Sequence, residues 1–198
     1  MSIGLLISGG MDSVALAFWR RPQFGYTVDY GQLAAEGEIR AATAVCKALS
    51  IQHRIIRVNC RSIGLGDMAG TPPSAQSPVS EWWPFRNQLI ITLAGAGAIS
   101  DGISELMFGT IRTDAAHCDG RLEFFLRISS TMESQEGNIR VTAPAIHLDA
   151  SELIKISAIP FEILAWCHSC HVSDFACGIC RGCTKHAETM SRLGYGDY

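Results

Sequence analysis

Residues 3–19 read IGLLISGGMDSVALAFW, and this stretch decides the fold class. The apolar run at residues 3–7 is typical of a buried strand, and the apolar run at residues 14–19 is typical of a helix. Between them lies the turn Ser8-Gly9-Gly10-Met11-Asp12-Ser13, whose two glycines permit positive φ and a close backbone approach to a ligand. A helix that starts after such a turn presents unpaired N–H groups and the positive end of its dipole. The stretch therefore predicts a strand–turn–helix unit that binds a phosphate or pyrophosphate.

The residue types in this turn exclude two common phosphate loops. A Walker A loop needs a lysine near its end, and no lysine lies in or just after residues 8–13. The dinucleotide pattern Gly-x-Gly-x-x-Gly is absent as well. The structural alternative is a helix that is simply capped by Ser8 or Asp12. The functional interpretation is a site for the pyrophosphate part of a nucleotide.

Runs typical of strands and of helices alternate along the chain, which predicts a parallel sheet covered on both faces. We expect five strands, at residues 4–8, 25–29, 54–58, 106–109 and 140–143. We expect helices at residues 11–20, 33–49, 86–101 and 121–132 and from residue 149, where Asp149-Ala150-Ser151-Glu152 has the form of a capping box. The predicted fold is a doubly wound α/β domain at residues 1–160, with residues 161–198 packed on it as a metal-binding segment.

The composition is that of a chain that buries one sizeable core, with 198 residues, 47% hydrophobic and 18% charged. No run of 18 apolar residues and no cleavable signal pattern occur, so we expect a cytoplasmic protein without a membrane span. The formal net charge is −3 and the basic residues are scattered, which argues against a long nucleic acid as partner.

Polar residues follow the predicted second and fourth strands, where ligands of doubly wound folds bind. Asp29 and Asp114 are candidates to hydrogen-bond a ribose or a base, and Arg112 is a candidate partner for a carboxylate or phosphate. The alternative is that both acids cap turns. Residues 66–83, rich in proline and small polar residues, predict a long loop. We expect Trp82 and Trp83 to anchor it to the core, the alternative being stacking on a flat ligand.

Five of the eight cysteines lie close together near the end of the chain. Cys-x2-Cys spacing lets two thiolates from one tight turn reach the same ion. We predict a structural zinc site formed by Cys170, Cys177, Cys180 and Cys183. Cys167 would then be free or replace one ligand.

Other interpretations of these cysteines are disulfides and an iron–sulfur cluster on the last three of them. His168 and His171 are alternative ligands. A closed four-thiolate site leaves no open coordination position. We therefore expect chelation to unfold the C-terminal segment before it affects the chemistry.

These motifs together resemble the 7-cyano-7-deazaguanine synthase (QueC) family of PP-loop ATP pyrophosphatases, over nearly the whole chain. The resemblance is carried by residues 8–13, 29–32, 86–87, 119–124 and 166–183. It implies that the carboxylate of 7-carboxy-7-deazaguanine is adenylated by ATP, that ammonia displaces AMP to form an amide, and that a second activation forms the nitrile. It also implies magnesium, a structural zinc and a homodimer.

The resemblance assigns roles residue by residue. ATP would contact Ser8, Gly9, Gly10, Met11, Asp12, Ser13, Asp29, Gln32 and Gly109, with Asp12 near the magnesium. The deazapurine would contact Tyr30, Arg86, Asn87, Arg112, Asp114, Asp119, Arg121 and Glu123. Ser8, Asp12, Ser13 and Arg121 would be catalytic through positioning and charge neutralisation. Because no protein nucleophile is needed, Cys118 is interpreted as a small core hydrophobe.

Two segments depart from the family pattern. Residues 116–121, Ala-His-Cys-Asp-Gly-Arg, stand in place of Gly-Tyr-Pro-Asp-Cys-Arg, and Asp149-Ala150-Ser151-Glu152 stands in place of Thr-Lys-x-Glu. The lysine is missing at Ala150, and Lys155 faces another side of the helix.

Three functions therefore remain open. The first is a nitrile-forming synthase. The second is a divergent ligase that passes the activated acid to an amine of a protein partner, as a QueC-like member of an antiphage defence operon would. The third is a non-catalytic zinc module that binds a nucleotide or a nucleic acid.

Overall fold

The computed structural model describes residues 2–196, and the strand–turn–helix unit opens it as predicted. Strand β1 (Ser2–Leu6) leads through the loop into helix α1 (Met11–Arg20). The other elements are β2 (Phe24–Asp29), α2 (Ala35–Leu49), β3 (Gln52–Arg57), α3 (Arg86–Ala98), β4 (Ile103–Met107), α4 (Leu122–Glu133), β5 (Arg140–Thr142), α5 (Ala150–Ser157), α6 (Phe161–Leu164) and α7 (Arg181–Arg192).

The five strands form one parallel sheet in the order β3-β2-β1-β4-β5, which confirms the predicted doubly wound α/β class. The chain runs outward from β1 to β3 and then returns to β4 on the other side of β1. This reversal makes the crevice between β1 and β4 the place where ligands of such folds bind.

Alternate residues of β1 and the loop after it face two separate cores. Leu5 and Ile7 pack with α1, α2 and α5 on one face of the sheet, and Leu6 packs with α3 and α4 on the other. Leu164 at the end of α6 and Met190 of α7 join the first core. The C-terminal segment is therefore anchored on the same body as the phosphate loop.

Two further predictions from local sequence are confirmed, the capping box of α5 and the anchoring of the long loop by Trp83. The capping box of α5 is confirmed, since Asp149 Oδ1 accepts from Glu152 N at 2.9 Å and Glu152 Oε2 accepts from Asp149 N at 2.7 Å. Residues 70–85 form no helix or strand, and Trp83 is 1% exposed with its ring edge-on to Tyr30, so it anchors the loop. Within residues 2–196, no helix is both long and apolar enough to cross a bilayer.

The interpretation of Cys118 is wrong in one respect. Cys118 is exposed in a short 3-10 helix, Cys118–Gly120, and does not belong to either core.

Candidate active site

The phosphate loop, residues 8–13, is shaped by a left-handed residue at Gly9. Its φ is +79°, and a Cβ there would lie 2.7 Å from Ala41 Cβ and 2.8 Å from the Glu38 carbonyl oxygen. Only glycine fits this contact between the loop and α2. The Ser8 hydroxyl accepts from Gly10 N at 3.3 Å, and the Ser13 hydroxyl donates to the Gly10 carbonyl at 2.9 Å.

The N-terminus of α1 is open towards the crevice. Gly10 is its N-cap residue, and no side chain in residues 2–196 caps it. The interpretation that Ser8 or Asp12 merely caps the helix is therefore wrong. Since the first-turn N–H groups have no acceptor within a helix, they remain available for an anion.

A cavity of about 270 Å³, here called the inner cavity, lies beside the loop. Ser8, Gly10, Met11, Asp12, Ser13 and Gly109 form its polar end. Its other walls are aromatic, aliphatic and polar side chains from both halves of the sheet, namely Tyr26, Tyr30, Glu38, Met68, Arg86, Asn87, Ile90, Phe108 and Asp114. Such a chamber suits a flat ring with an anionic group at one end.

The inner cavity is continuous with a wider opening of about 760 Å³, here called the outer cleft. The two share Arg86, Asn87, Asp114 and Lys185 in their linings. The outer cleft continues past Asp119 to the start of α5 and along α7. A ligand in the inner cavity therefore has a broad path to solvent.

Asp12 forms an ion pair inside the inner cavity. Its Oδ2 lies 2.9 Å from Lys185 Nζ, and Asp114 Oδ1 lies 3.9 Å from the same nitrogen. Burial raises the pKa of Asp12, although Lys185 opposes this shift. Burial works against the charge of Lys185, but the two carboxylates outweigh it and raise the pKa of the lysine.

The second oxygen of Asp12, Oδ1, is buried and has no hydrogen-bond partner among residues 2–196. A buried carboxylate oxygen without a partner is costly and suits a hard divalent cation. The site therefore fits the magnesium that the resemblance implies at Asp12.

A buried polar network holds Glu38 at the wall of the inner cavity. Gln32 Nε2 donates to Glu38 Oε2 at 2.9 Å, and Gln32 Oε1 accepts from Tyr30 N at 2.9 Å. Burial raises the pKa of Glu38 to about 7, although Gln32 and Arg86 favour its charged form. Gln32 does not line the cavity itself, and no motif in the sequence indicated Glu38.

Arg86 and Asn87, at the start of α3, lie where both cavities meet. The side-chain oxygen of Asn87, Oδ1, accepts from Arg86 Nε and Nη2 at 3.2 Å each, and Asn87 Nδ2 donates to the backbone carbonyl of Asp119. Among the described residues, Arg86 forms no ion pair with a carboxylate within 4 Å. Its guanidinium is thus oriented and remains able to pair with an anion.

Besides Gly9 and Gln32, four of the predicted contact residues do not line either cavity. Asp29 pairs with Arg57 at 2.6 Å and accepts from Gly31 N at 3.1 Å, which is the turn role given as its alternative. Arg112 pairs with Asp149 and Glu152, each at 3.2 Å, at the start of α5. Strand-end position did not reveal the ion pairs, because Arg57, Asp149 and Glu152 come from distant parts of the chain.

The other two residues outside the cavities lie at the start of α4. Arg121 is exposed, and its Nε donates to the Ala115 carbonyl at 3.0 Å. Glu123 is also exposed. The structure therefore does not support the predicted catalytic role of Arg121 or the predicted substrate contact of Glu123. Asp114 and Asp119, from the same part of the chain, do line the outer cleft.

The four predicted metal ligands come together in the structure. The sulfurs of Cys170, Cys177, Cys180 and Cys183 all lie within 4.8 Å of one another, and two pairs are 3.9 Å apart. A tetrahedron of sulfurs around zinc has edges of about 3.8 Å. Amide hydrogen bonds from Ile179 and Cys180 lower the pKa of Cys177 to about 6, which favours the thiolate. The cluster fits a zinc knuckle.

The structure does not support disulfides among these cysteines, or Cys167, His168 and His171 as metal ligands. Sulfur separations of 3.9 Å are too long for disulfides. Cys167 lies outside the cluster and packs against the first core. The ring of His168 is bonded to the Ser173 carbonyl at 3.0 Å, and neither His168 nor His171 belongs to the cluster.

The knuckle also forms a wall of the inner cavity. His168 N donates to the Gly9 carbonyl at 2.9 Å, and Cys170 and His171 line the cavity together with Lys185. This contact argues against the expectation that chelation unfolds the C-terminal segment before it affects the chemistry. Local cysteine spacing predicts a metal but carries no signal for what the knuckle packs against.

The raised pKa of Glu38 predicts a pH-dependent stability. The folded protein keeps a proton on Glu38 up to about pH 7, whereas the unfolded chain releases it near 4.5. Stability is therefore lost as the pH rises through this window. We expect Glu38→Gln to gain on the order of 2 kcal/mol relative to wild type between about pH 5 and about pH 8, in urea unfolding.

The matched control is Glu36→Gln, on the same helix but exposed. It should follow the pH profile of the wild type. Parallel profiles for Glu38→Gln and wild type would show that Glu38 is ionised in the folded protein already at low pH.

Comparison with known proteins identifies one family over nearly the whole chain. The family model described as "Queuosine biosynthesis protein QueC" matches residues 3–194. Proteins named 7-cyano-7-deazaguanine synthase are similar: one from Desulforudis audaxviator is 30% identical, over 91% of this chain and 92% of that protein. One from Campylobacter fetus is 29% identical, over 96% and 95%.

A solved structure, titled a predicted subunit of tRNA methyltransferase from Methanocaldococcus jannaschii, matches with a TM-score of 0.45 and 14% identity, over 98% of this chain and 89% of that one. The family match rests on sequence over residues 3–194, and it includes both the phosphate loop and the four-cysteine cluster. The chain belongs to the QueC family of queuosine biosynthesis proteins.

Proposed function

We propose that the protein is an ATP-dependent ligase that adenylates the carboxylate of 7-carboxy-7-deazaguanine, or of a related deazapurine acid, and transfers it to an amine. The observation that carries this proposal is the uncapped start of α1 at one end of an aromatic-lined cavity. The names of the related proteins support the substrate class.

In the proposed reaction, the phosphate loop binds ATP. The first-turn N–H groups and the hydroxyls of Ser8 and Ser13 hold the departing pyrophosphate. A carboxylate oxygen of the acid attacks the α-phosphorus, and pyrophosphate leaves. The amine then attacks the acyl carbon, and AMP leaves as the amide forms.

The residues at the other walls orient the acid. Arg86 is placed to pair with its carboxylate, because its guanidinium is held by Asn87 and forms no ion pair within the described residues. Tyr30 and Phe108 line the same chamber and suit a planar heterocycle. This positioning supplies much of the rate gain that an adenylating enzyme needs.

Magnesium and zinc have different parts in the proposal. Asp12 would hold magnesium, which neutralises charge on the phosphates when it is bound. The four cysteines would hold zinc in a closed, structural site. From the family resemblance we also propose a homodimer and a cytoplasmic location.

The accepting amine distinguishes two versions of the function. With ammonia, the product is the amide and then, after a second activation, 7-cyano-7-deazaguanine. The outer cleft favours a second candidate, transfer to an amine of a protein partner, because it is wide and its lining carries both acidic and basic side chains that a protein surface could contact.

Acid-dependent exchange of labelled pyrophosphate into ATP tests the shared half-reaction. We expect exchange with 7-carboxy-7-deazaguanine and none without an acid. Mass spectrometry with and without ammonia then identifies the amide, the nitrile or a base-sized increment on a partner protein. Absence of exchange in folded, metal-loaded protein would favour the non-catalytic alternative.

A further inference from the structure

Lys185 places a positive charge beside the loop at residues 8–13, which itself contains no basic residue. The chain has three lysines. Lys47 and Lys155 are exposed on α2 and α5, whereas Lys185 of α7 lines both the inner cavity and the outer cleft. We propose that Lys185 binds the phosphate chain of the nucleotide, opposite the phosphate loop. This inference rests on the proposed function only in taking a nucleotide as the ligand.

The other basic groups near the phosphate loop have different positions. The loop itself, residues 8–13, contains no basic residue. Arg86 is held at the far side by Asn87 and by the sulfur of Met68 at 3.1 Å. Arg112 is paired at the start of α5. Among residues 2–196, Lys185 is therefore the lysine or arginine that forms an ion pair with a residue of the loop.

The pair of Lys185 with Asp12 leaves room for an exchange of partners. Asp12 Oδ2 lies 2.9 Å from Lys185 Nζ, while Asp12 Oδ1 has no partner in residues 2–196. Asp12 would turn to a bound magnesium ion, and the ammonium of Lys185 would turn to a phosphate oxygen. Each buried charge keeps a partner of opposite sign throughout.

The four-cysteine cluster sets the position of Lys185. Helix α7 begins at Arg181, directly after Cys180, and Lys185 lies one turn further on. Gly182 allows this helix to pack closely against the backbone at Ser169, since a Cβ on residue 182 would clash with the Ser169 carbonyl oxygen. A metal held by the knuckle would therefore fix the direction from which the ammonium enters the inner cavity.

Binding of magnesium–pyrophosphate and magnesium–ATP to the metal-loaded full chain tests the proposal. We expect Lys185→Met to weaken both by about 10- to 100-fold, the loss of one charge-assisted hydrogen bond. Lys185→Arg should recover part of the affinity. Lys155→Met, an exposed lysine on α5, is the matched control and should bind as the wild type does. Zinc content and thermal unfolding establish that each variant is folded.

A second measurement separates a phosphate contact from a structural role. Asp12→Asn removes the nearer of the two carboxylates beside Lys185 and leaves Asp114 at 3.9 Å, so we expect this variant to bind pyrophosphate several-fold more tightly than wild type when magnesium is absent. The double variant Asp12→Asn, Lys185→Met should lose this gain. The comparison is made between variants that both lack the Asp12–Lys185 ion pair, so it holds even if Lys185→Met lowers stability.

Wild-type affinity of Lys185→Met for magnesium–pyrophosphate, or an unchanged gain in the double variant, would overturn the inference. Its failure is distinguishable from that of the proposed function. Lys185-dependent binding without acid-dependent exchange would refute the ligase alone. Exchange that survives Lys185→Met at full rate and affinity would refute the role of Lys185 alone.

Discussion

Removal of the metal from the four-cysteine cluster is expected to abolish nucleotide binding together with the fold of the C-terminal segment. Metal binding contributes on the order of 10 kcal/mol to the folding of such segments. Two contacts transmit the loss to the inner cavity, from His168 N to the Gly9 carbonyl and from Lys185 to Asp12. Without the metal, the cavity loses a wall and its lysine.

A chelator titration measures this directly, with zinc release, circular dichroism and ATP binding followed in parallel. The three signals should change together. Cys180→Ser should reproduce the loss, whereas Cys118→Ser, an exposed cysteine outside the cluster, should not. Full ATP affinity after complete metal release would show that the knuckle is independent of the site. An iron–sulfur cluster would colour the purified protein, and zinc would not.

Gly9→Ala is expected to destroy the phosphate loop. The new Cβ would lie 2.7 Å from Ala41 Cβ on a backbone at φ +79°. Left-handed strain and overpacking together cost about 2–4 kcal/mol. The loop escapes this cost by moving away from α2, which takes its N–H groups out of register with the phosphates. We expect at least a ~100-fold loss of ATP affinity, because several charge-assisted hydrogen bonds are broken.

Gly102→Ala separates the two causes. Gly102 also has positive φ, +66°, but no atom within 4 Å of its added Cβ, and it lies before β4, away from both cavities. It should lose about 1 kcal/mol in urea unfolding and bind ATP normally. If Gly9→Ala bound ATP as well as Gly102→Ala does, the loop would not be the phosphate site.

Features with a local physical cause could be predicted from the sequence. The turn at residues 8–13, the capping box at Asp149 and the cysteine spacing each rest on the chemistry of a few neighbouring residues. Alternation of strand and helix patterns predicted the parallel sheet in the same way. The position of polar residues at strand ends was a weaker guide, since Asp114 lines the cavity but also caps a turn through Ile111 N, and Asp29 and Arg112 are paired outside the cavities.

Both pairings have one physical reason, which is that charged side chains take the nearest partner in space. Arg112 is held by Asp149 and Glu152, about 40 residues away in sequence, and spacing along the chain carries no trace of that pairing. Glu38 was missed for a different reason: its partner Gln32 is only six residues away, but its burial at the cavity wall depends on tertiary packing.

The fold class, the turn at residues 8–13 and the four-cysteine cluster could be predicted from sequence, because each depends on hydrophobic period or on the reach of adjacent side chains. Which charges meet in the cavity depends on the tertiary fold. Lys185 stands 173 residues from Asp12 in sequence and 2.9 Å from it in space. That contact requires the packing of α7 against the first core, an arrangement that arises only when the whole chain folds.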